Sequence, residues 1–235
     1  MLQNFLPRLK NHLLSRLCKN AYDGDEEEFS PAERNLLLFV RNRIYFHKAI
    51  RFNYTTYDMR RDQDSINPRT HADVMVLSHE DEELNPHPYW YARIIGIFHF
   101  FVQLKDPSES RLTKPKKMDV LWVRWFGRNL EVKSGWATKR LHQVGFLQAS
   151  SSDAFGFLDP HHIIRASHLI PRFARGRTKM YLGVSDVRQT GDGDDDWVYY
   201  YVNWYVFTLP HAKLSNHVLP ALLTAIWLCA TEVVG

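Results

Sequence analysis

Hydrophobic and polar positions alternate over residues 43–57. Ile50, Phe52 and Tyr54 fall on one side and Arg51, Asn53 and Thr55 on the other. A period of two predicts a half-buried strand. Upstream the spacing changes. Leu2, Phe5, Leu6, Leu9, Leu13 and Leu17 recur at helical intervals with a basic opposite side, which predicts an amphipathic docking helix. Arg8, Lys10 and Arg16 interrupt this segment, so it lacks the apolar h-region of a secretory signal; its basic, acid-poor flavour is shared with mitochondrial presequences. Asp23 to Glu28 forms an acidic turn without the alternating ligand pattern of a calcium loop, and reads as solvated. Ser30-Pro31-Ala32-Glu33 is a capping box with proline at the first helical position, so a short helix should begin there.

Residues 58–72 are polar and turn-rich, residues 73–77 a short strand candidate, and residues 78–88 an acidic, proline-containing loop. The run at residues 89–102, YWYARIIGIFHFFV, is rich in β-favouring side chains and predicts a strand despite its helical length. A loop at residues 104–117 separates it from a second strand at residues 118–126, MDVLWVRWF, which ends at Gly127. The two read as an antiparallel hairpin. A weaker strand is expected over residues 140–147, a helical turn at Asp159-Pro160, and an apolar stretch over residues 163–169 leading into Pro171. Asp192 to Asp196 is an acidic loop, and residues 197–207, WVYYYVNWYVF, are the last strong strand. Short strands without long amphipathic helices between them predict a mainly β (α+β) fold. We expect a small antiparallel barrel with short N-terminal helices, not a parallel α/β sheet. The expected division is a helical segment at residues 1–42, a β module at 43–208 and an atypical apolar tail at 209–235. Within that tail, residues 218–230 carry no charge, but 13 residues fall short of the roughly 20 that span a bilayer. A membrane partner is therefore not expected. No internal repeat is visible.

Composition narrows the classes. Apolar residues make up 45% of the 235 and charged residues 24%, which excludes a wholly disordered, coiled-coil or collagen-like chain. Seven Trp, 11 Tyr and 14 Phe supply the area for a substantial core. The two cysteines, Cys18 and Cys229, exclude a disulfide scaffold and a cysteine-based zinc finger, and favour a reducing compartment.

Several motifs carry a family resemblance. NYTTYDMRRDQDSINPRTHADVMVLS (53–78), HPYWYARIIGIFHFFV (87–102), MDVLWVRWFGR (118–128), FGFLDPHHIIRASHLIPRFARGRT (155–178) and WVYYYVN (197–203) stand in this order. Together they resemble the C-terminal region of proteins encoded by fungal (basidiomycete) CACTA-type DNA transposons of the Plavaka kind. The match covers roughly residues 5 to 203. The succession ARIIGIF, LWVRWFGR and HLIP also looks like a bromo-adjacent-homology (BAH) or SH3-like barrel. The resemblance implies an accessory region, with the metal-binding RNase-H-like catalytic domain of such a transposase lying upstream of it. It implies a nuclear location, with the cytoplasm as the alternative. After Asn203 the chain departs from the family pattern, as a retained intron or frameshift would make it do.

No enzyme chemistry emerges. His71, His79 and His87 recur every eight residues, but in a turn-rich acidic stretch and not on a rigid element. His161, His162 and His168 are flanked by Pro160 and Pro171 and read as surface or satisfied core histidines. There is no nucleophile elbow and no glycine-rich phosphate loop; Gly191 and Gly193 sit among aspartates. We therefore expect no catalytic residues, no metal, no cofactor and no small-molecule substrate. Charge is more informative. The formal charge is +4, and residues 105–179 hold 15 Lys/Arg against six Asp/Glu. Lys114, Lys116 and Lys117, then Lys139 and Arg140, then Arg172, Arg175, Arg177 and Lys179 are expected to contact a DNA backbone. The alternative is a chromatin-peptide reader whose aromatic cage uses Tyr89, Trp90, Tyr91 and Trp136. The expected function is a non-catalytic binding fragment that contacts DNA or another transposase segment; an inert decayed gene product is the third reading.

Overall fold

The apolar run at residues 89–102 forms a strand, as its β-branched and aromatic content requires. In the computed structural model it belongs to a chain described over residues 4–19, 27–55, 59–78, 87–105, 111–185, 187–188, 193–203 and 231–234. Helices α1 (Phe5–Cys18) and α2 (Pro31–Leu36) come first. Strands β1 (Leu37–Phe39), β2 (Tyr45–His47), β3 (Ala49–Thr55), β4 (Arg61–Ile66) and β5 (Asp73–Leu77) follow. The two longest are β6 (Tyr89–Leu104) and β7 (Lys116–Arg128). Then come β8 (Gln143–Phe146), β9 (Phe155–Leu158), β10 (Ile163–Ala166), β11 (Leu169–Pro171) and β12 (Arg177–Thr178). The last are β13 (Asp196–Trp197), β14 (Tyr200–Val202) and β15 (Thr231–Val234).

Among the described residues, ten strands form one antiparallel sheet, ordered β10-β5-β6-β7-β8-β14-β11, with β1 and β2 also on β6 and β9 on β7. The sheet curls into a half-barrel, so the molecule is mainly β, as the pattern predicts. The expected hairpin is present: β6 and β7 pair from Tyr91↔Phe126 to Val102↔Lys116, with a register shift between Ile94 and Gly96. A second sheet orders β15-β3-β4, and β12 pairs with β13.

The alternating segment at residues 43–57 is not one strand. A bend at Lys48 divides it, sending β2 to the main sheet and β3 to the small one. Alternation reports which face is buried but not which neighbour is joined. The stretch read as turn-rich contains β4, whose sequence RDQDSI has one buried residue, Ile66. Residues 163–171 form β10 and β11 after the expected turn, in which the Asp159 carboxylate accepts from His161 N–H. The last strong strand is interrupted, and residues 204–207 lie outside the described residues. So do most of the acidic turn at 23–28, the loop residues 79–86 and the apolar run 218–230. The C-terminal segment contributes β15, an edge strand on β3.

Apolar layers hold these elements. Ile50, Phe52 and Ile66 of the small sheet pack on Ile94, Ile97, Leu121 and Val123 inside the curl. On the opposite face, Leu9 and Leu13 of α1 are fully buried against Phe98, Phe100, Val120 and Phe157. Arg16 clamps the helix by pairing with Asp159 at 2.6 Å and donating to the Asp119 carbonyl at 2.6 Å. The predicted docking helix is thus present. A third layer joins Tyr89, Tyr91, Phe126, Phe146 and Tyr200. No helix among the described residues is long and apolar enough to cross a membrane.

Candidate functional site

The cations expected to meet phosphate fall into three groups. Lys114, Lys116 and Lys117 are exposed at the start of β7, where Lys116 faces Val102. Lys139 and Arg140 precede β8, which pairs with the other end of β7 through Arg128↔Val144. Arg172, Arg175, Arg177 and Lys179 follow β11, the edge strand of that side. Lys116 and Arg128 are the terminal residues of β7. At 3.3 Å per residue the strand between them is roughly 40 Å long. The nine do not form one continuous cluster.

Local geometry presents the second and third groups. Gly135 and Arg140 bridge across a short turn, closed by Gly135 N–H donating to the Arg140 carbonyl at 2.8 Å. Within this turn Gly135 (φ +104°) and Lys139 (φ +53°) take backbone angles with positive φ, leaving Lys139 and Arg140 exposed. After β11 a tight turn carries Arg172 to Arg175. It ends at Gly176, whose φ of 68° and ψ of −159° suit glycine alone.

Folding also spends part of the charge. Arg124 pairs with Asp196 at 2.8 Å, Arg165 with Asp64 at 3.3 Å and Arg177 with Asp195 at 3.2 Å. Each of these acids lies outside residues 105–179, whereas Arg16 pairs from outside with Asp159, so the surplus of that segment falls from nine to seven. Lys117 meets Asp119 at 3.2 Å. The Arg172 guanidinium donates to Gln143 Oε1 at 2.6 Å and lies over the Tyr201 ring. Lys139, Arg140, Arg175 and Lys179 remain exposed, with no ion pair among the described residues, as do Lys114 and Lys116.

The aromatic residues expected to form a cage are divided by strand alternation. Tyr89 and Tyr91 are buried in the third layer, whereas Trp90 packs on the inner layer with its ring 6.2 Å from Trp125. Tyr89, Tyr91 and Trp90 therefore do not wall one cavity. Trp136 lies in the turn Trp136–Thr138, and its side chain lies outside the described residues. A different set of rings does surround a cation. The Arg93 guanidinium lies 5.7, 5.0 and 5.4 Å from the centres of Phe126, Phe146 and Tyr200, and pairs with Asp73 at 2.7 Å. Arg124 lies 3.7 Å from the Phe146 centre on the same layer, and Arg188 joins it on Asp196 at 3.0 Å. This aromatic box is filled from within the chain.

The structure assembles one group that the sequence spacing does not reveal. His47 on β2, His99 on β6 and Asp119 on β7 place their ligand atoms within 4.8 Å of one another. His47 Nε2 and His99 Nδ1 are 2.6 Å apart. His99 and Asp119 are direct cross-strand partners, and His47 faces Ile97. All three continue the face that carries Ile97 and Leu121 into the inner layer, and each is half-buried at its rim. Tyr45 stacks on His99 at 4.6 Å, with the rings 4° apart. Burial, then the Lys117 ammonium and His47, push the His99 imidazole below its ordinary pKa. The sequence separation of 52 between the histidines hides the group from any spacing motif. His99 reads as part of an apolar run. Its one available signal is its parity with Ile97.

The histidines singled out in the sequence are elsewhere. His71 is exposed beside its bridge to Asn67, His87 is buried, and His79 lies outside the described residues. His161 and His168 are exposed and His162 is half-buried. No protein-family model, curated protein or solved structure matches this chain.

Proposed function

We propose that the protein is a non-catalytic binding module that engages a DNA backbone through the cations around β8 and β11. We also propose that it serves as an accessory region of a transposon-encoded protein. One observation carries the binding reading: Lys139 and Arg140 before β8, and Arg175 and Lys179 after β11, stand exposed with no carboxylate engaged to them among the described residues. Phosphate contacts of this kind position a protein without reading sequence. Lys114 and Lys116 lie at the opposite end of β7 from Arg128, which pairs with β8, and are not part of the proposed contact. The filled box around Arg93 weighs against the peptide-reader alternative.

Fluorescence anisotropy with an 8-base-pair DNA hairpin, about 27 Å long, tests this across a salt series. Each phosphate neutralised releases a counterion, so four contacts give a slope of log affinity on log salt near −3.6. Changing Lys139, Arg140, Arg175 and Lys179 singly to Glu should flatten the slope by about 0.9 or more each. Lys114→Glu and Lys116→Glu should leave it unchanged with this probe. Absence of binding at low salt would overturn the reading, and would leave these charges the role of keeping an edge strand from pairing with other chains.

A further inference from the structure

We propose that His47, His99 and Asp119 form a binding site for a divalent transition-metal ion of the zinc class. The inference is independent of the DNA reading. Two imidazoles and one carboxylate are the donor types that zinc accepts, and three protein ligands leave a fourth position for water or an incoming ligand. They stand on three neighbouring strands, held by backbone pairing on both sides of β6. Strands are the rigid support that a turn-rich stretch does not provide.

The required adjustment is small. A tetrahedral zinc with bonds near 2.0 Å keeps its ligand atoms about 3.3 Å apart. The two imidazole nitrogens, now 2.6 Å apart, would separate by about 0.7 Å. The longest separation in the group, within 4.8 Å, would close by up to about 1.5 Å. Side-chain torsions supply movements of this size without breaking the ladder. Backbone support is already in place, since Arg16 donates to the Asp119 carbonyl and is itself held by Asp159. One group opposes binding: the Lys117 ammonium is 3.2 Å from Asp119 Oδ1, where it competes with any incoming cation. Magnesium, which prefers octahedral oxygen ligands, does not suit two imidazoles.

Isothermal titration of the full chain with zinc ion alone, and with magnesium ion as control, tests the site. Thermal unfolding in the same solutions gives a second readout, because a ligand bound only by the folded state raises the melting temperature. Zinc should bind at one site and magnesium should not. His99→Gln and Asp119→Asn should each weaken zinc binding at least tenfold, while His71→Gln leaves it unchanged. Lys117→Gln should strengthen it. Asp119→Asn is isosteric, so it decides the matter if His99→Gln does not fold. The proposal is overturned by absent zinc binding, by equal binding of magnesium, or by zinc binding that Asp119→Asn and His99→Gln leave intact.

Discussion

A single histidine shows how burial sets the response to acid. His87 is 2% exposed; its Nδ1 accepts from Tyr89 N–H at 3.0 Å, and its ring meets His142 edge-on at 4.5 Å. Burial, with His142 and Arg128 adding to it, pushes its pKa down to about 4. His12 is shifted the same way by burial, Arg16 and His162. The unfolded chain takes up these protons near pH 6.5, where the folded chain does not. Their contribution to stability is therefore full above pH 6.5 and is lost as pH falls toward the folded value. For His87 the loss should approach roughly 3 kcal/mol near pH 4, at ~1.4 kcal/mol per pH unit. Urea unfolding between pH 7 and pH 4.5 should show His87→Gln with a shallower acid decline than the parent chain. Parallel declines would show that this imidazole does not drive the acid response. The sequence places His87 in an acidic, proline-containing stretch, where nothing foretells its burial.

Elements were legible where they carry strong apolar signals and illegible where their neighbours make them. The 89–102 and 118–126 runs announce β6 and β7, and the SPAE box announces α2, whose Ser30 hydroxyl accepts from Glu33 N–H. The strand β9, FGFL, is four residues long and fully buried, too short for periodicity to separate from a turn. β4 is polar because only one of its residues faces the core, and it exists because β3 offers six cross-strand partners. The expected tail illustrates the same dependence. Four of its residues form β15, which among the described residues pairs with β3 alone. Ile50 and Phe52 of β3 remain buried against the main sheet by their own packing. Deleting residues 209–235 should therefore lower the melting temperature while leaving one cooperative transition. Loss of that transition in calorimetry would mean that β3 depends on β15 for its place in the core.

At the scale of the whole molecule, pairings between distant residues rearrange what a linear reading shows. The basic surplus of residues 105–179 shrinks because Asp64, Asp195 and Asp196 arrive from outside that segment. The histidine–aspartate group forms for the same reason, from residues 47, 99 and 119. The fold class was legible because it follows from local strand signals; the site was not, because it follows from which strands meet. The same contrast between near and far has a consequence in time. The β6–β7 hairpin joins eleven residue pairs across a connection of about a dozen residues, whereas α1 docks on β9 from some 140 residues away. Closing a short loop costs less entropy, so the hairpin should order early in folding and the helix late. Val120 and Leu13 are both fully buried in one apolar layer. Val120→Ala should chiefly slow refolding, whereas Leu13→Ala, costing about 2–5 kcal/mol, should chiefly hasten unfolding. Stopped-flow chevrons of the two variants measure the difference, and equal φ values would place helix docking inside the folding nucleus. Residues that touch the same core would then report two moments of its assembly.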